Sequence, residues 1–494
     1  MNINKSFSAG VALRLLGKSG EQEFRSMRLF NGVYLQLHSY MLRVAVPNCQ
    51  LSSKQLLALA HIALKYDRGY FHITTRQTIQ FNWINLSHAV KSITALSKAG
   101  LDSSHTSGNC VRQITCDPLW GVCLDETASI VGLINTLRER IVLNPLIESL
   151  PKKVKVCVWA AYSDRVLSRF NDISIKLTED NALVTLGGGL GRAPAAGARL
   201  IKLKTNLIPN WLLAFLRVYC ALASTHKYSL RTKSLMRSLG KSALFKLTRC
   251  ELESTDNVQS ISIARYQSIL IKRVSLINWL NSHKFETWYS NYTSAHRTHS
   301  ARLIFIGSGR LCTPPGDITF SFANTLAKLI QRYGIDQVRI TLTQTLVLPW
   351  AHVAFATNIY ATCSQIFPRN VVCCPGLDYC TLANSRSILI SSKLELFKTK
   401  LSIRVSGCVN ACSQHHVFDV GIVGVVKANT EAYQVFVGGG ARAGRTAKPI
   451  SRAIPARKVL AVVQRHSELV HLLSKDAFEC AHACVNRTRL SFRW

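Results

Sequence analysis

The chain has 494 residues, 48% of them hydrophobic and 18% charged, which leaves room for roughly three or four domains and excludes wholesale disorder. Lysine and arginine number 61 against 26 acidic residues, a formal net charge of +35, so an anionic partner or ligand is expected: RNA, a membrane face, an acidic protein or a polyanionic cofactor. The basic residues are spread along the chain, which weakens the nucleic-acid reading, and the absence of about 18 uninterrupted apolar residues argues against a membrane-spanning helix.

Taken in order, the opening MNINKSFSAG lacks the apolar core of a secretory signal. The apolar periodicity from Leu56 to Ile62 predicts an amphipathic helix, and YDRGYFHITTRQTIQF after it alternates at strand spacing. Further on, LPKKVKVCV (Leu150–Val158) reads as a strand with Lys153 and Lys155 on one face. The triplet Gly187-Gly188-Gly189 follows it. Residues 205–298, with Pro209, Trp211 and helical apolar spacing, form a connection. A second helix is predicted over Ala323 to Ile330, followed by YGIDQVRITLTQTLVL.

These segments repeat. One constant offset carries Ile73, Thr74, Gln77 and Thr78 onto Ile340, Thr341, Gln344 and Thr345. A second offset carries LPKKVKVCV onto LSIRVSGCV (Leu401–Val409) and the glycine triplet onto Gly438-Gly439-Gly440. The chain therefore reads as a duplicated unit, each half a smaller α+β module and then a larger one, with a site expected between the halves. The copies disagree in a telling way. Arg76 answers Thr343, Lys153 and Lys155 answer Arg404 and Ser406, and Ala161 answers Cys412. One half supplies cations and the other thiolates.

Sixteen cysteines in a long chain without a signal point to a reducing cytoplasm rather than a disulfide framework. Cys374 and Cys380 are separated by five residues in CCPGLDYC, and Cys408 and Cys412 by three in GCVNACSQHH. Four thiolates close the coordination of a [4Fe-4S] cube. Zinc competes, but its paired ligands favour spacings of two to four. A helical turn would bring Cys408 and Cys412 to one face. Gly376 and Gly407 would let backbone N–H groups approach the sulfurs. Cys480 and Cys484 share the three-residue gap but lack a second pair. Cys123 and Cys157 are the offset partners of Cys374 and Cys408. The remaining counterparts, Ser129 and Ala161, make a second cluster unexpected.

The segments TTRQTIQFNWI, SGNCVRQITC, LPKKVKV, GGGLGRAP, CCPGLDYCTLANSRS and SGCVNACSQHHVFDVGIVG together resemble the sirohaem-containing nitrite/sulfite reductases, from about Glu23 to about Arg445. The pattern is most similar to the bacterial assimilatory sulfite reductase haemoprotein subunit. The resemblance implies an α+β fold of two pseudo-symmetric halves, each a small ferredoxin-like module (25–95 and 300–365) followed by a larger module. The larger modules, 100–204 and 366–494, bind sirohaem and the [4Fe-4S] cluster, with 205–298 as the helical connection.

It further implies that Cys374, Cys380, Cys408 and Cys412 hold the cluster, with Cys412 bridging to the sirohaem iron. Arg43, Arg112, Lys153 and Lys155 would meet the substrate anion, and Arg76 and Gln80 the carboxylates of the macrocycle. Asn410 lies between the cluster cysteines, while Lys227, Arg231 and Lys233 match only loosely. The implied activity is six-electron reduction of sulfite to sulfide in the cytoplasm, with electrons from ferredoxin or a flavoprotein subunit and neither membrane nor nucleic acid as partner. Nitrite reduction to ammonia and a precorrin-3B synthase-like activity stay open. So does a basic RNA-binding protein on a decayed reductase fold.

Elementary electrostatics supports these roles. A buried macrocycle rich in carboxylates, together with an anionic substrate, needs compensating cations. At an effective dielectric near 20, one charge pair at about 4 Å is worth on the order of 4 kcal/mol. Arg76 reads as a charge inside an otherwise apolar alternating strand, which is costly unless it is paired. His415 and His416 read as structural, since a bridging thiolate makes an axial imidazole redundant. The stretch Pro47-Asn48-Cys49 departs from the family pattern.

Overall fold

In the computed structural model, the described residues are 5–144, 150–224, 231–256, 302–306, 314–335, 337–351, 355, 370–396, 399, 401–427, 430–440 and 444–472. The chain opens with α1 (Lys5–Leu15) and α2 (Glu21–Phe30), then β1 (Val33–Leu35), β2 (Tyr40–Val44) and β3 (Gln50–Leu51). A reciprocal capping box, with Gln55 N–H on Ser52 Oγ and Ser52 N–H on Gln55 Oε1, starts α3 (Ser53–Tyr66). β4 (Tyr70–Ile73), β5 (Ile79–Ile84) and α4 (Leu86–Lys98) complete the first small module. Next come β6 (Thr115–Cys116), α5 (Val131–Leu137), β7 (Val156–Trp159), β8 (Ile173–Thr178), β9 (Asn181–Leu186) and β10 (Ala198–Lys204). They lead into α6 (Ile208–Ser224) and α7 (Thr232–Asp256).

The second half repeats this order. It runs β11 (Arg302–Ile306), β12 (Asp317–Thr319), α8 (Phe320–Arg332), β13 (Val338–Ile340) and β14 (Leu346–Ala351). β15 (Val371–Cys373), α9 (Ser387–Glu395), β16 (Ile403–Ser406), β17 (Val420–Lys427), β18 (Thr430–Val437), β19 (Lys448–Pro449) and α10 (Ala456–Leu472) follow.

The expected α+β architecture in two related halves is what the chain forms. Two sheets, β1-β2-β5-β4-β12 and β11-β14-β13-β3, each take a strand from the other half. Helices α3 and α8 pack together over them. The two small modules thus do not have separate cores. Leu56, Leu59, Ile73, Phe81, Leu326, Ile340 and Leu348 belong to one cluster. The N-terminal helix, which shows little kinship in sequence, adds Phe7 and Val11 to it.

The larger modules share a second design. In β6-β7-β8-β9-β10 and in β15-β16-β17-β18-β19 the first three strands are parallel and the rest antiparallel. The segment Thr205–Ala223, covering most of α6, is long and apolar enough to cross a membrane by length and composition alone. Here Trp211, Leu212, Phe215 and Tyr219 bury its apolar face in the core of the first larger module. Lys227, Cys480 and Cys484 lie outside the described residues.

The register of the repeat differs from the sequence reading. Val156 pairs with Ile173 as Ile403 pairs with Val420. Asp172 accepts the Lys155 N–H at 3.1 Å as Asp419 accepts the Ser402 N–H at 2.9 Å. Lys155 therefore matches Ser402, not Ser406, and Ala161 matches Cys408, not Cys412. The cause is hairpin length. β17 and β18 have 8 residues each where β8 and β9 have 6, so an offset taken at the glycine triplets overshoots everything upstream.

Two further local expectations are corrected. Arg76 stands in the turn between β4 and β5 rather than in a strand; Gln77 takes φ 55 there, and Thr74 Oγ1 meets Thr78 Oγ1 at 2.7 Å. Residues 407–419 are an irregular loop with Ala411 at φ 54 and Gln414 at φ 67, so no helix aligns Cys408 with Cys412.

Candidate cofactor and anion site

Strand β15 ends at Cys373, whose backbone N–H donates to Gln344 Oε1 (3.1 Å) and whose carbonyl accepts from Gln344 Nε2 (2.9 Å). This clamp delivers Cys374 to a loop that turns at Gly376, φ 62, where the Cys380 N–H returns to the Gly376 carbonyl at 2.8 Å. A Cβ at Gly376 would meet the Ser387 N at 2.6 Å, so a side chain is excluded there. The same loop is tied to the first half, since Tyr379 Oη meets Tyr70 Oη at 2.9 Å.

Strand β16 delivers Gly407 and Cys408. The Gly407 N–H donates to Cys374 Sγ at 3.1 Å, and a Cβ there would meet Gly376 Cα at 2.8 Å. Asn410 lies beside the Cys408 sulfur and favours its ionised form, against the opposing effect of burial. Thr75 Oγ1, from the first half's turn, donates to the Cys412 carbonyl at 2.7 Å.

Three of the thiols sense the fourth. Burial first and then the Cys412 charge push Cys374 up to about 12, and burial raises Cys380 and Cys408 as well, with Cys412 again adding to it. Such sulfurs ionise readily only beside compensating metal charge. Among the described residues, no three His, Cys, Asp or Glu side chains converge closely enough to hold a single metal ion. Zinc needs its sulfurs within about 2.3 Å of one point. A cube gives each thiolate its own iron, so its ligands ring the cluster instead of meeting at a point. Four thiols on two adjoining loops are the donor set that a [4Fe-4S] cluster takes.

Opposite the thiols lies a group of cations from the first half. Arg43, on β2, faces Gln80 across the β2–β5 pair. With the Gln80 amide oriented by its surroundings, its oxygen accepts from Arg43 Nη2 at 2.6 Å and Nε at 3.2 Å. Arg43 and Arg112 both donate to the Thr106 carbonyl. Arg112 also donates to Gly108 O (2.8 Å) and to Tyr34 Oη (3.1 Å). Lys153 and Lys155 flank buried Val154, which turns inward. Lys153 is exposed to solvent and Lys155 is partly so.

Burial lowers the pKa of Arg43 and Lys153, of Arg76 to about 10, and of Lys155 well below the ordinary lysine value. Arg43, Arg76 and Lys153 each feel the Cys412 charge. Arg76 and Lys155 also feel Asp172, but that carboxylate is already bound by Arg231 (2.8 Å), Thr232 and the Lys155 N–H. The site thus gathers more positive charge than Asp172 neutralises. Its chemistry suits a polyanionic macrocycle and a small anion.

The structure brings Arg43, Arg76, Arg112, Lys153 and Lys155 to one side of Cys412. Gln80 is engaged with Arg43 rather than free, and Asn410 is exposed beside Cys408. Arg231 is held by Asp172, and Lys233 by the Leu190 carbonyl at 3.1 Å. His415 and His416 are buried with ring centroids 4.0 Å apart. Burial drives His415 far below the usual imidazole range and keeps it neutral. A hollow bounded by Leu133, Arg140, Asp180 and Asn206 contains none of these residues.

Three contributors escaped the sequence reading. Tyr34 lies under the Arg43 guanidinium, 5.1 Å from its ring centroid, and its hydroxyl is pulled down to about 7. Burial opposes that ionisation, and Arg112 and Arg43 overcome it. Gln77 and Gln344 marked the repeat, yet nothing in their spacing revealed that each clamps a strand end.

Two family models match the chain. The nitrite/sulfite reductase ferredoxin-like half domain matches residues 35–99 and 308–362. The nitrite and sulphite reductase 4Fe-4S domain matches residues 107–255 and 366–469. A ferredoxin–nitrite reductase of Synechococcus elongatus is 25% identical over 429 residues, covering 81% of this chain and 80% of that enzyme. A sulfite reductase [ferredoxin] of Mycobacterium tuberculosis is 22% identical over 439 residues, covering 82% and 74%. The solved structure of the Mycobacterium tuberculosis NirA protein superposes with a TM-score of 0.74 at 17% identity, over 92% of this chain and 90% of that one. That likeness concerns the fold.

Proposed function

Because the chain belongs to the nitrite/sulfite reductase family, we propose that it reduces sulfite to sulfide at a sirohaem coupled to a [4Fe-4S] cluster. When bound, this pair would pass the donor's electrons to the substrate at an iron site that the protein's own side chains lack. Cys374, Cys380, Cys408 and Cys412 would hold the cluster, with Cys412 the thiol nearest the first half's cations. Arg76 balances carboxylates of the macrocycle.

Arg43, Arg112, Lys153 and Lys155 bind the anion. The two guanidinium groups are held rigidly through Thr106 and Gln80, so little reorganisation is needed as oxygen leaves the substrate. The lysines are the proton carriers. Their lowered pKa lets each release a proton and recover it from water. Each oxygen that departs takes two protons and leaves as water.

The observation that carries this reading is that the first half's turn reaches the Cys412 loop, Thr75 Oγ1 donating to the Cys412 carbonyl at 2.7 Å, with Arg43, Arg76 and Lys153 near enough to feel the charge at Cys412. The number of cations favours sulfite, whose dianion demands more compensation than nitrite. Nitrite reduction to ammonia is the second reading, favoured by the nitrite-reducing relatives. The electron donor is a ferredoxin, as the names of relatives from both groups support.

Parallel turnover of sulfite and nitrite with reduced ferredoxin tests the choice, and a higher kcat/KM for nitrite would reverse it. Anaerobically reconstituted protein should show a chlorin-type absorption band and four acid-labile sulfides per chain, as a cube held by four cysteines requires. A colourless product would remove the cofactor reading.

A further inference from the structure

Every position of the cysteine quartet has a counterpart in the first half, fixed by repeated hydrogen bonds. Gln77 clamps Cys116 through N–H (2.9 Å) and carbonyl (2.8 Å), as Gln344 clamps Cys373. The next residues, Asp117 and Cys374, therefore correspond. Further along each loop the Cys123 N–H returns to Leu119 O at 3.1 Å, as the Cys380 N–H returns to Gly376 O at 2.8 Å. In the other loop Leu167 (φ 53) accepts from Phe170 N–H, as Gln414 (φ 67) accepts from Val417 N–H. Gly197 N–H donates to Arg169 O as Ala447 N–H donates to His416 O. Ala161 thus stands for Cys408, and Arg165 for Cys412.

Asp117 takes the place expected of Cys123, Cys123 that of Ser129, Ala161 that of Cys157 and Arg165 that of Ala161, and Asp117 and Arg165 are in direct contact. Arg165 Nη1 donates to Asp117 Oδ2 at 2.8 Å. Its Nη2 donates to Cys123 Sγ at 2.9 Å and to Asp125 Oδ1 at 2.7 Å. The residue at the place of Cys412 therefore reaches the residues at the places of Cys374 and Cys380. Asp117 is 3% exposed, so the ion pair is internal.

We propose that Arg165 replaces, by charge and hydrogen bonding, the cross-link that an iron-sulfur cluster provides in the second half, and that the first half retains the backbone cradle of a second cluster. Arg165 ties the loop after β6 to the loop after β7. The latter loop also carries Asn171, whose Oδ1 lies 3.5 Å from Arg76 Nη1, and Asp172, which holds Arg231. Arg165 is thus a positioning residue for the cation group as well. The inference rests on the cluster reading of the second half for its comparison, and on first-half geometry for its substance.

Two experiments on the full chain test it. In Arg165→Met, amide hydrogen exchange over 117–126 and 160–172 should accelerate by about tenfold or more, with Arg165→Lys between it and the parent. Unchanged exchange in Arg165→Met overturns the cross-link. In the triple variant Asp117→Cys/Ala161→Cys/Arg165→Cys, native Cys123 completes a quartet. Anaerobic reconstitution with ferrous iron and sulfide should then about double the cluster iron of the parent treated alike and add a second paramagnetic signal on reduction, since each quartet takes one cube. Cluster iron equal to the parent's, in a variant with the parent's melting temperature, overturns the cradle. Should the triple variant not fold, the exchange experiment decides alone. A parent that takes up no iron refutes the cluster reading of the second half and leaves the exchange result to judge Arg165.

Discussion

The backbone N–H of Gly407 donates to the sulfur of Cys374 at 3.1 Å, which joins the two cysteine loops before any metal is considered. A donor at a thiolate stabilises its charge and tunes the centre it ligates. The contact exists because position 407 has no side chain. An added Cβ would sit 2.8 Å from Gly376 Cα and 2.9 Å from Ser385 O, both backbone atoms.

Gly407→Ala should therefore force the loops apart, at a cost of about 2 kcal/mol from overpacking. The expected result is folded protein with sharply reduced iron and labile sulfide after reconstitution. Iron content equal to the parent's would show that the close approach is dispensable.

Gln344 and Gln77 offer a matched pair. Each is buried, and each serves backbone groups of both halves, Gln344 at Cys373 and Ile73, Gln77 at Cys116 and Ile340. Truncation to alanine strands several buried polar groups, so each variant should lose about 3 kcal/mol. Thermal melts should show similar losses. Only Gln344→Ala should also lower cluster retention, because only Gln344 anchors the strand that presents Cys374.

Gln80→Leu removes two hydrogen bonds from the Arg43 guanidinium. Bonds to a charged group are worth about 1.5–3 kcal/mol, so a loosened Arg43 should raise the KM for the anion by about tenfold or more. Steady-state kinetics separates this from a general defect. A fall in kcat at constant KM would mean that Gln80 does not act through Arg43.

The Tyr34 hydroxyl gives the anion site a pH dependence. Burial resists its ionisation, but Arg112 and Arg43 draw it down to about 7. Below that value the phenol is neutral and both arginines are available to the anion. Above it the phenolate competes for them. Anion affinity should accordingly be full on the acid side and fall as pH rises through about 7. Nitrite, whose charge is constant over this range, is the suitable probe. Tyr34→Phe should flatten the profile, and an unchanged profile would exclude Tyr34 as its source.

What the sequence revealed follows from how local each signal is. The cysteines and their glycines are legible because a cluster demands thiolates and close backbone approach, and only a few residue types meet those demands. Lys153 and Lys155 are legible as one face because extended backbone alternates. The turn at Arg76 escaped detection since TTRQT has strand-forming composition, and its reversal depends on a positive φ at Gln77, a residue that seldom adopts one. The repeat register was misread because hairpin length leaves no mark at the motif itself. Tyr34, and the engagement of Gln80 by Arg43, depend on contacts between elements that meet only in the folded chain.

The interlocked sheets bear on how the chain is made. β12 completes the sheet begun by β4, and β3 completes the sheet of β13. On the ribosome, the first sheet must wait with an open edge until Thr319 has emerged, a delay that such long-range pairing imposes on any folding route. Neither half can be separated without leaving a strand behind in the other. The duplication is therefore no longer two copies side by side, and a gene split between the halves would yield fragments that assemble only by finding each other.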